Sequence, residues 1–325
     1  MSAASREAKV AVVGATGAVG VQIADLIAAR ALPVSELKLF ASSEGDSSRE
    51  VEAGDQTVEI ECLESPARLS GFDLALLAVP ENVADEIVAA RPGPILIDLS
   101  AANRAPSNIP LAAPGLTPRD RVNQLKVGGL FATPHPGAHV IATVLNALEV
   151  RAGFAAATII VGAGASGRVR ISELFNQSVE LLNARLDLED GHTQLAFNLF
   201  ADPPGPDHAG VIAAQVSALM GVAPQLSLSV VQAPVYHGGA IALHVPAAAD
   251  ATEWATRLRA APGVLLLEGG EPTGIVDAIG QEAILVRLDA SAAGAALWCV
   301  YDSARLAALN ALWIAENLSF GAAIS

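Results

Sequence analysis

The segment FATPHPGAHVIATVLNAL, residues 131–148, has the residue types of a catalytic turn. Its first apolar residues predict a strand, and apolar residues at helical spacing over residues 137–150 predict a helix. A nucleophilic thiol is expected at such a junction, because the N–H groups and the dipole of a helix N-terminus favour a thiolate. The turn instead contains His135, Pro136 and Gly137, so imidazole is the group available there for acid–base chemistry.

A second candidate site is the glycine-rich segment VVGATGAVG at residues 12–20. Glycine lets the backbone turn tightly and approach a diphosphate, whose charge is favoured by the free N–H groups at a helix N-terminus. The predicted cofactor residues of this turn are Gly14, Ala15, Thr16, Gly17, Ala18 and Val19. In the later segment FASSEGDSS, Glu44 either accepts a hydrogen bond from a free ribose 2′-hydroxyl or is a solvated loop acid.

Strands and helices alternate through the first third of the chain. The segments predicted as strands are residues 9–14, 37–42, 57–62, 73–79 and 94–100, with 57–62 at an edge. Several are continuous apolar runs, which a buried parallel sheet requires because helices cover both of its faces. The order therefore predicts a doubly wound, Rossmann-type α/β domain.

The pattern changes after about residue 133. Helices are predicted at residues 137–150, 168–185 and 208–220. The segment LSLSVVQAPVYHGGAIALHV, residues 226–245, predicts long antiparallel strands with a break at residues 237–239. Fewer crossover helices and longer alternating strands predict an α+β second domain. The last helix, LAALNALWIAENL, is amphipathic and is predicted to return to the first domain.

Composition sets the domain number and excludes several classes of partner. The chain has 325 residues, 52% of them hydrophobic, which is enough for two packed domains. We expect residues 1–133 with 304–325 to form a dinucleotide-binding domain, and residues 134–303 to form a substrate and dimerisation domain. The net charge of −15 repels phosphate backbones and anionic lipid, so neither nucleic acid nor a membrane is an expected partner.

Cysteine usage and the N-terminal segment bear on the cellular compartment. Cys62 and Cys299 each lie in an apolar, strand-like stretch, so we expect two buried thiols and no disulfide framework. No apolar signal segment precedes the first strand, and no apolar run reaches the ~20 residues of a spanning helix. These features predict a cytoplasmic protein.

Nearly the whole chain resembles the aspartate-semialdehyde dehydrogenase family, and in particular its Usg-type branch, which lacks the catalytic cysteine. The segments that carry the resemblance are VVGATGAVG, IDLSAANRAPSNIPLAAP, the ATP turn at residues 132–134, VGAGASGRVRISEL, QLAFNLF, VVQAPVYHGG and ALNALWIAENL. Members of this family are homodimers that reductively dephosphorylate aspartyl phosphate with NADPH, using a cysteine that attacks the acyl carbon. The resemblance thus implies a homodimer, a cofactor that is NADP or NAD (or no dinucleotide at all), and cofactor contacts at Ser42, Gly164 and Asn310.

The resemblance also implies where the family's catalytic groups would lie in this chain. The thiol position falls on Pro136, and the base histidine, which follows an R-I-P-V-like strand, falls on Gly239. The substrate-binding arginine that opens that strand falls on Gln232, and the arginine that contacts a 2′-phosphate falls on Glu44. The lysine of the short helix after the A-F-N segment has no counterpart. The phosphate-side arginine is kept as Arg104, either to bind an anion or to brace its loop.

A proline at the thiol position is compatible with the fold but not with the thiol chemistry. Proline has no side-chain nucleophile, yet its missing N–H costs nothing in the first turn of a helix. We therefore expect the fold without aspartate-semialdehyde dehydrogenase activity, in a binding or regulatory role. The alternative is an NAD(P)-dependent oxidoreductase that acts on another carbonyl without a thioester, with His135 or His237 as general acid. No metal is expected, although His135, His139 and His237 leave a metal triad as a further alternative.

Overall fold

The computed structural model divides the chain into two compact units. The first contains Met1–Pro136 and Ala307–Ser325, and the second contains Gly137–Leu306. The residues described are 7–30, 33–41, 50–53, 56–100, 109–124, 129–151, 153–185, 193–201, 208–246, 250–269, 273–291 and 294–318. No helix within these ranges is both long enough and apolar enough to cross a lipid bilayer. Each unit is built around its own seven-stranded sheet.

The sheet of the first unit is parallel except at one edge. Its strands are β1 (Ala8–Val13), β2 (Val34–Ala41), β3 (Glu50–Ala53), β4 (Gln56–Cys62), β5 (Leu74–Leu77), β6 (Ile95–Asp98) and β7 (Leu130–Ala132). Their order is β3-β4-β2-β1-β5-β6-β7, and each pairing except β3–β4 is parallel. The connections include α1 (Ala18–Ala29), α2 (Glu81–Ala90) and α3 (Arg119–Gln124). The prediction of a Rossmann-type domain is confirmed.

Helices cover both faces of this sheet, which explains why its central strands are apolar without interruption. In β1, Val10 and Val12 pack in a cluster that contains residues of α1, whereas Ala11 and Val13 pack in another cluster that contains residues of α2. Successive side chains of a strand point to opposite faces, so a strand covered on both faces is apolar at every position.

The prediction of an edge strand at residues 57–62 is wrong. β4 lies between β2, to which it is parallel, and the outer strand β3, to which it is antiparallel. The residues that join β3 to β4 are Gly54 and Asp55. A two-residue connection that contains glycine, between two alternating segments, is typical of a hairpin. The hairpin therefore adds β3 outside β4.

The sheet of the second unit is mixed. Its strands are β8 (Phe154–Val161), β9 (Phe200–Ala201), β10 (Gln225–Gln232), β11 (Gly239–Val245), β12 (Val264–Leu266), β13 (Ile284–Ser291) and β14 (Gly294–Tyr301). Their order is β12-β13-β14-β11-β8-β10-β9. The helices are α4 (Pro136–Ala147), which begins at the last residue of the first unit, α5 (Arg168–Leu182), α6 (His208–Met220) and α7 (Ala251–Ala260). The prediction of an α+β arrangement for this part of the chain is confirmed.

Strands β10 and β11 run in opposite directions, as their sequence predicts, but they are not neighbours. β8 lies between them, parallel to β10 and antiparallel to β11. The connection, residues 233–238, is therefore not a tight hairpin turn, because it passes the end of β8 before β11 begins. This crossing places residues 235–238 against the turn that follows β8.

The C-terminal helix α8 (Ser303–Glu316) contributes to the core of the first unit. Ala308, Ala311, Leu312 and Ala315 belong to the same buried cluster as residues of β1 and α1. These positions recur at intervals of three and four residues, which places them on one face of a helix. The amphipathic pattern of this segment is explained by that packing.

Replacing Gly14 should destabilise the first unit more than replacing a glycine that has room around it. Gly14 has φ of +85° and its absent Cβ would lie 2.2 Å from the carbonyl oxygen of Ala78. Gly129 has φ of +75°, but its nearest heavy atom would be 4.0 Å away. We expect Gly14→Ala to cost about 3 kcal/mol or more in the free energy of unfolding, and Gly129→Ala about 1–2 kcal/mol. Calorimetry of the two variants checks this, and equal losses would contradict the packing argument.

Candidate functional site

The glycine turn of the first unit joins β1 to α1 and is held by backbone hydrogen bonds. The N–H groups of Gly14 and Ala15 donate to the carbonyl oxygen of Phe40, at 2.8 and 3.0 Å. The N–H of Gly17 donates to the carbonyl oxygen of Gly14 at 3.0 Å. A Cβ on Gly20 would lie 2.2 Å from that same oxygen. Gly14 and Gly20 are therefore required by close packing, whichever ligand the turn binds.

The start of α1 has the features of an anion site. The residue before the helix, Gly17, makes no side-chain capping hydrogen bond, and the first turn contains no acidic residue. First-turn N–H groups have no partner inside a helix, and a diphosphate is favoured there by both hydrogen bonding and the helix dipole. The predicted residues from Gly14 to Val19 are brought together by this turn. Together, the absent side chain at residue 17 and the uncapped helix fit a dinucleotide diphosphate.

Asn310 and Thr133 present buried polar atoms in the first unit. Asn310, on α8, is 1% exposed, and within the described residues neither its Nδ2 nor its Oδ1 has a hydrogen-bond partner. Thr133, which follows β7, is fully buried, and its Oγ1 likewise has no partner in the described ranges. Most buried polar atoms in proteins are paired, with protein, water or ligand, so this amide is a place where a ligand or an ordered water can supply the partner. A carboxamide, such as that of nicotinamide, offers the complementary donor and acceptor.

Three of the predicted ligand residues lie outside the described residues. They are Ser42 and Glu44, which follow β2, and Arg104, which follows β6. The predicted contacts of Ser42 and Glu44 with the cofactor, and of Arg104 with an anion, therefore stay predictions.

Pro136 is the first residue of α4, one residue before the predicted helix start. It is half-buried, as is His135 before it. A proline at the first helical position leaves the helix intact, because the N–H that it lacks has no partner inside the helix. The junction therefore keeps its strand–turn–helix geometry, and residue 136 contributes no atom that could attack a carbonyl carbon.

In the second unit, the turn after β8 packs against residues 235–238. The N–H groups of Ala163 and Gly164 donate to the carbonyl oxygens of Val235 and Tyr236, both at 2.8 Å. A Cβ on Gly164 would lie 2.8 Å from the Tyr236 oxygen and 3.2 Å from Nδ1 of His237. The predicted cofactor residue Gly164 is thus a close-packing position, and the exposed His237 lies beside it.

Gly239, the residue at the base position, is covered by Tyr301. The two residues are opposite each other in the β11–β14 pair. A Cβ on Gly239 would lie 2.7 Å from Cζ and 2.8 Å from the hydroxyl oxygen of Tyr301. Tyr301 is 2% exposed, and burial raises the pKa of its phenol above the ordinary tyrosine range, with a smaller effect from Cys299. The base position is therefore occupied by an uncharged phenol that belongs to a different strand.

The side chain of Gln232, at the substrate-arginine position, donates hydrogen bonds to the backbone around it. Its side chain is buried, and Nε2 donates to the carbonyl oxygens of Val161 and Ala233, both at 3.1 Å. An amide also carries no charge, so this residue cannot replace an arginine that pairs with a carboxylate or phosphate. Gln232 instead ties the end of β10 to the end of β8.

The buried side chain of Gln177 on α5 organises the segment QLAFNLF. Its Oε1 accepts hydrogen bonds from the N–H groups of Leu195 (2.6 Å) and Ala196 (3.3 Å), and its Nε2 donates to the carbonyl oxygen of Thr193 at 3.2 Å. The adjacent Phe197 is left 68% exposed. One buried amide therefore fixes this loop and presents a phenyl ring to solvent.

The three histidines considered as a metal triad differ in burial. His139 on α4 is buried, His135 is half-buried, and His237 is exposed. In the part of the chain that the structure describes, no group of three or more His, Cys, Asp or Glu side chains could hold a metal ion. The metal-triad alternative therefore has no support. The reason is that His135 precedes α4, so the four-residue spacing to His139 does not place both rings on one helix face.

The two cysteines are free thiols with different burial. Cys299 on β14 is fully buried, and burial raises its pKa to about 12, so it stays protonated and unreactive at neutral pH. Cys62, at the end of β4, is half-buried, and the prediction that it is a core residue is wrong. It ends its strand, and its side chain is only partly covered.

Tyr301 lies beside the base position, and the sequence alone does not identify it. No motif or spacing identifies it, because its role follows from the register in which β14 pairs with β11. The sequence contains only two tyrosines, and a buried phenol beside a glycine in a neighbouring strand is visible once the strands are paired.

Comparisons with known proteins agree with the fold of the chain. A family profile described as "Semialdehyde dehydrogenase, NAD binding domain" matches residues 9–124. The chain is 32% identical to a USG-1 protein homolog of Pseudomonas aeruginosa, over 97% of this chain and 98% of that protein. It is 30% identical to an aspartate-semialdehyde dehydrogenase of Synechocystis, over 95% and 97%. The crystal structure of aspartate semialdehyde dehydrogenase II of Vibrio cholerae, complexed with ASA, superposes with a TM-score of 0.85 at 26% identity, over 97% and 98% of the two chains.

The buried phenol should resist ionisation in the folded protein. In the Tyr236→Phe variant Tyr301 is the remaining tyrosine, so its phenolate absorbance can be followed alone. We expect no ionisation in the folded variant at a pH at which the urea-unfolded variant, with an ordinary phenol pKa of about 10, is already ionised. The unfolded state then loses a proton that the folded state keeps, so stability falls as pH rises above about 10. Ionisation of the folded variant near pH 10 would contradict the burial of Tyr301; Tyr301→Phe provides the baseline.

Proposed function

Since the chain belongs to the aspartate-semialdehyde dehydrogenase family, we propose that it binds a dinucleotide in its first unit and does not catalyse the family's thioester chemistry. The observation that carries the proposal is Pro136 at the first position of α4, where the resemblance implies a cysteine. Its role is then binding or regulation, as the resemblance to the Usg-type branch also suggests. The similarity to USG-1 protein homologs supports that placement.

The loss extends beyond the nucleophile. Gly239 provides no base, Gln232 provides no charge, and residues 207–220 contain no basic side chain other than histidine. Removing a covalent nucleophile and its base costs several orders of magnitude in rate, and the two effects are not independent. Each replacement is compatible with local packing, so the fold persists without the reaction.

The dinucleotide proposal rests on the first unit alone. The turn from Gly14 to Val19 and the start of α1 would hold the diphosphate, and Asn310 would pair with a carboxamide. A nicotinamide cofactor, when bound, supplies or accepts a hydride. The resemblance assigns Glu44 to the position of an arginine that contacts a 2′-phosphate; a carboxylate there would repel that phosphate, which argues against NADP without establishing NAD. The match of residues 9–124 to an NAD-binding family profile supports the same proposal.

A second candidate function is carbonyl reduction without a covalent intermediate. The observation that favours it is the exposed His237, whose Nδ1 lies beside the Gly164 turn. An imidazolium there could donate a proton to a carbonyl oxygen as hydride reaches the carbon. The test is a cofactor-dependent absorbance change with a small panel of aldehydes and ketones. A change that is present in the parent protein and lost in His237→Gln distinguishes this function from binding alone.

The central prediction is dinucleotide binding without turnover. Calorimetric titration with NAD and NADP should give a Kd below about 1 mM for at least one of them. The same protein with aspartate semialdehyde, phosphate and either cofactor should give no nicotinamide absorbance change. Asn310→Ala should weaken binding about tenfold, because the carboxamide partner is lost, while the stability of the free protein stays equal or rises. Asn317→Ala, seven residues further along the chain, is the matched control, since Asn317 donates to the carbonyl oxygen of Trp313.

Two results would oppose the proposal in different ways. Turnover of aspartate semialdehyde at an enzymatic rate would overturn the loss of thioester chemistry. Failure of both dinucleotides to bind at about 1 mM, with the protein folded, would overturn the cofactor site and leave a scaffold role.

We also propose that the protein is a cytoplasmic homodimer that associates through the sheet of the second unit. Free thiols are typical of a reducing compartment. On the sheet, Ser227 and Ser229 of β10 are exposed and lie opposite Ala156 and Thr158 of β8. Continuing across β8, Ala242 of β11 is opposite Thr158. Small side chains on neighbouring strands make a flat face, which allows a second sheet to approach to about 10 Å.

A large charged residue in the middle of this face should separate the subunits. We expect the unmodified protein to have the mass of two 33.1 kDa chains, and Ser229→Arg to have the mass of one, because arginine cannot be accommodated between two closely packed sheets. Ala260→Arg, at the exposed end of α7, is the control that should remain dimeric. Sedimentation measures all three. A monomeric parent, or a dimeric Ser229→Arg, would overturn this surface.

A further inference from the structure

We propose that Tyr301 is a steric plug that closes position 239, so that this corner of the second unit accepts no side chain there and is committed to its base-free form. The proposal rests on the proposed function only in taking residue 239 as the base position. The contacts from which it is argued all lie in the second unit. Tyr301 thereby determines which residue types position 239 allows, and hence which chemistry.

The first step is the direct geometry between the two residues. The ring carbons Cζ and Cε2 of Tyr301 would lie 2.7 and 3.1 Å from a Cβ on Gly239, and the hydroxyl oxygen 2.8 Å from it. Cβ atoms essentially never approach a non-bonded atom to less than 3.0 Å, so the distances of 2.7 and 2.8 Å would force the ring to shift. Gly239 does not have a positive φ, so backbone conformation does not explain the glycine. The space that the phenol occupies explains why residue 239 is glycine.

The second step is that Tyr301 has little freedom to move aside. It is 2% exposed and pairs with Gly239 in β11, and the preceding residue, Val300, pairs with Leu285 in β13. The next residue, Asp302, is buried and accepts hydrogen bonds from the N–H groups of Gly280 and Arg305, both at 3.0 Å. Backbone movement at this end of β14 would break these contacts, and ring rotation would need space in a close-packed interior.

The third step is that the preceding glycine is enclosed as well. Gly238 has φ of +83°, and a Cβ there would lie 2.5 Å from Cγ2 of Ile275 and 3.0 Å from Cδ1 of Ile279. The segment that carries Ile275 is held by a hydrogen bond from Nε1 of Trp298 to the carbonyl oxygen of Thr273, at 2.8 Å. The two glycines are therefore covered by different elements, and the corner is closed from two directions.

The chemical consequence is a neutral lining. A phenol kept protonated by burial carries no charge and takes no proton near neutral pH, unlike an imidazole at position 239. A side chain that could act as a base cannot return to this position while Tyr301 remains. Restoring a base therefore requires two changes in two strands.

The experiment is a double-mutant cycle on thermal stability, which does not depend on any ligand. We expect Gly239→Ala to lower the Tm by more than about 5 °C in the parent and by less than about 2 °C in the Tyr301→Ser background. Gly274→Ala, at a glycine of the same unit whose Cβ would have its nearest neighbour at 3.8 Å, should leave the Tm nearly unchanged. The exposed tyrosine provides a second control, because Tyr236→Ser should not rescue Gly239→Ala.

A larger replacement extends the test to the base itself. Gly239→His should lower the Tm further than Gly239→Ala or fail to fold, whereas Gly239→His with Tyr301→Ser should fold and show one additional histidine resonance that titrates. Equal loss from Gly239→Ala with and without Tyr301, or a Gly239→His protein as stable as the parent, would overturn the plug. Neither outcome bears on dinucleotide binding, which the titrations with NAD and NADP measure in the first unit.

Discussion

The first N–H groups of a helix have no partner inside that helix, and this constraint applies at the starts of both α1 and α4. α1 begins after Gly17, which supplies no side-chain cap, so the N–H groups remain available to an anion. α4 begins with Pro136, which meets the same constraint by having no N–H at all. One helix start is thereby open to a diphosphate. The other keeps its helical geometry, and its first residue supplies no nucleophilic side-chain atom.

In the second unit, positions that the resemblance assigns to substrate chemistry are engaged by packing and by backbone hydrogen bonds. The amide of Gln232 donates to two carbonyl oxygens, and Gly239 lies under the ring of Tyr301. Both arrangements are internally satisfied, because a neutral amide and a neutral phenol cost less to bury than a guanidinium or an imidazolium. Charged groups that are kept for catalysis are normally expensive to hold in place. The neutral groups Gln232 and Tyr301 avoid that cost.

Local sequence patterns predict the helices and strands of this fold well. They predict less well which strands are neighbours in a sheet. The continuous apolar runs of β1 and β5 follow from burial on both faces, and the proline at residue 136 is compatible with a helix start from sequence alone. The placement of β8 between β10 and β11 depends on contacts between segments far apart in the chain, which no local period reveals. The role of Tyr301 depends on strand register, and the hairpin of β3 with β4 was missed because its alternating segments are short.

The exposed phenyl rings of the second unit affect how the protein molecules interact at high salt concentration. Phe175 on α5 is 56% exposed, and the Gln177-anchored segment presents Phe197 at 68%. In dilute buffer the net charge of −15 keeps like molecules apart. That repulsion acts over about 10 Å at 0.1 M ionic strength and over only about 3 Å at 1 M, whereas strongly hydrated salts strengthen apolar contact. Concentrated ammonium sulfate therefore weakens the electrostatic repulsion and strengthens apolar contact, and the protein should bind a hydrophobic chromatography matrix through exposed apolar side chains that include these two rings.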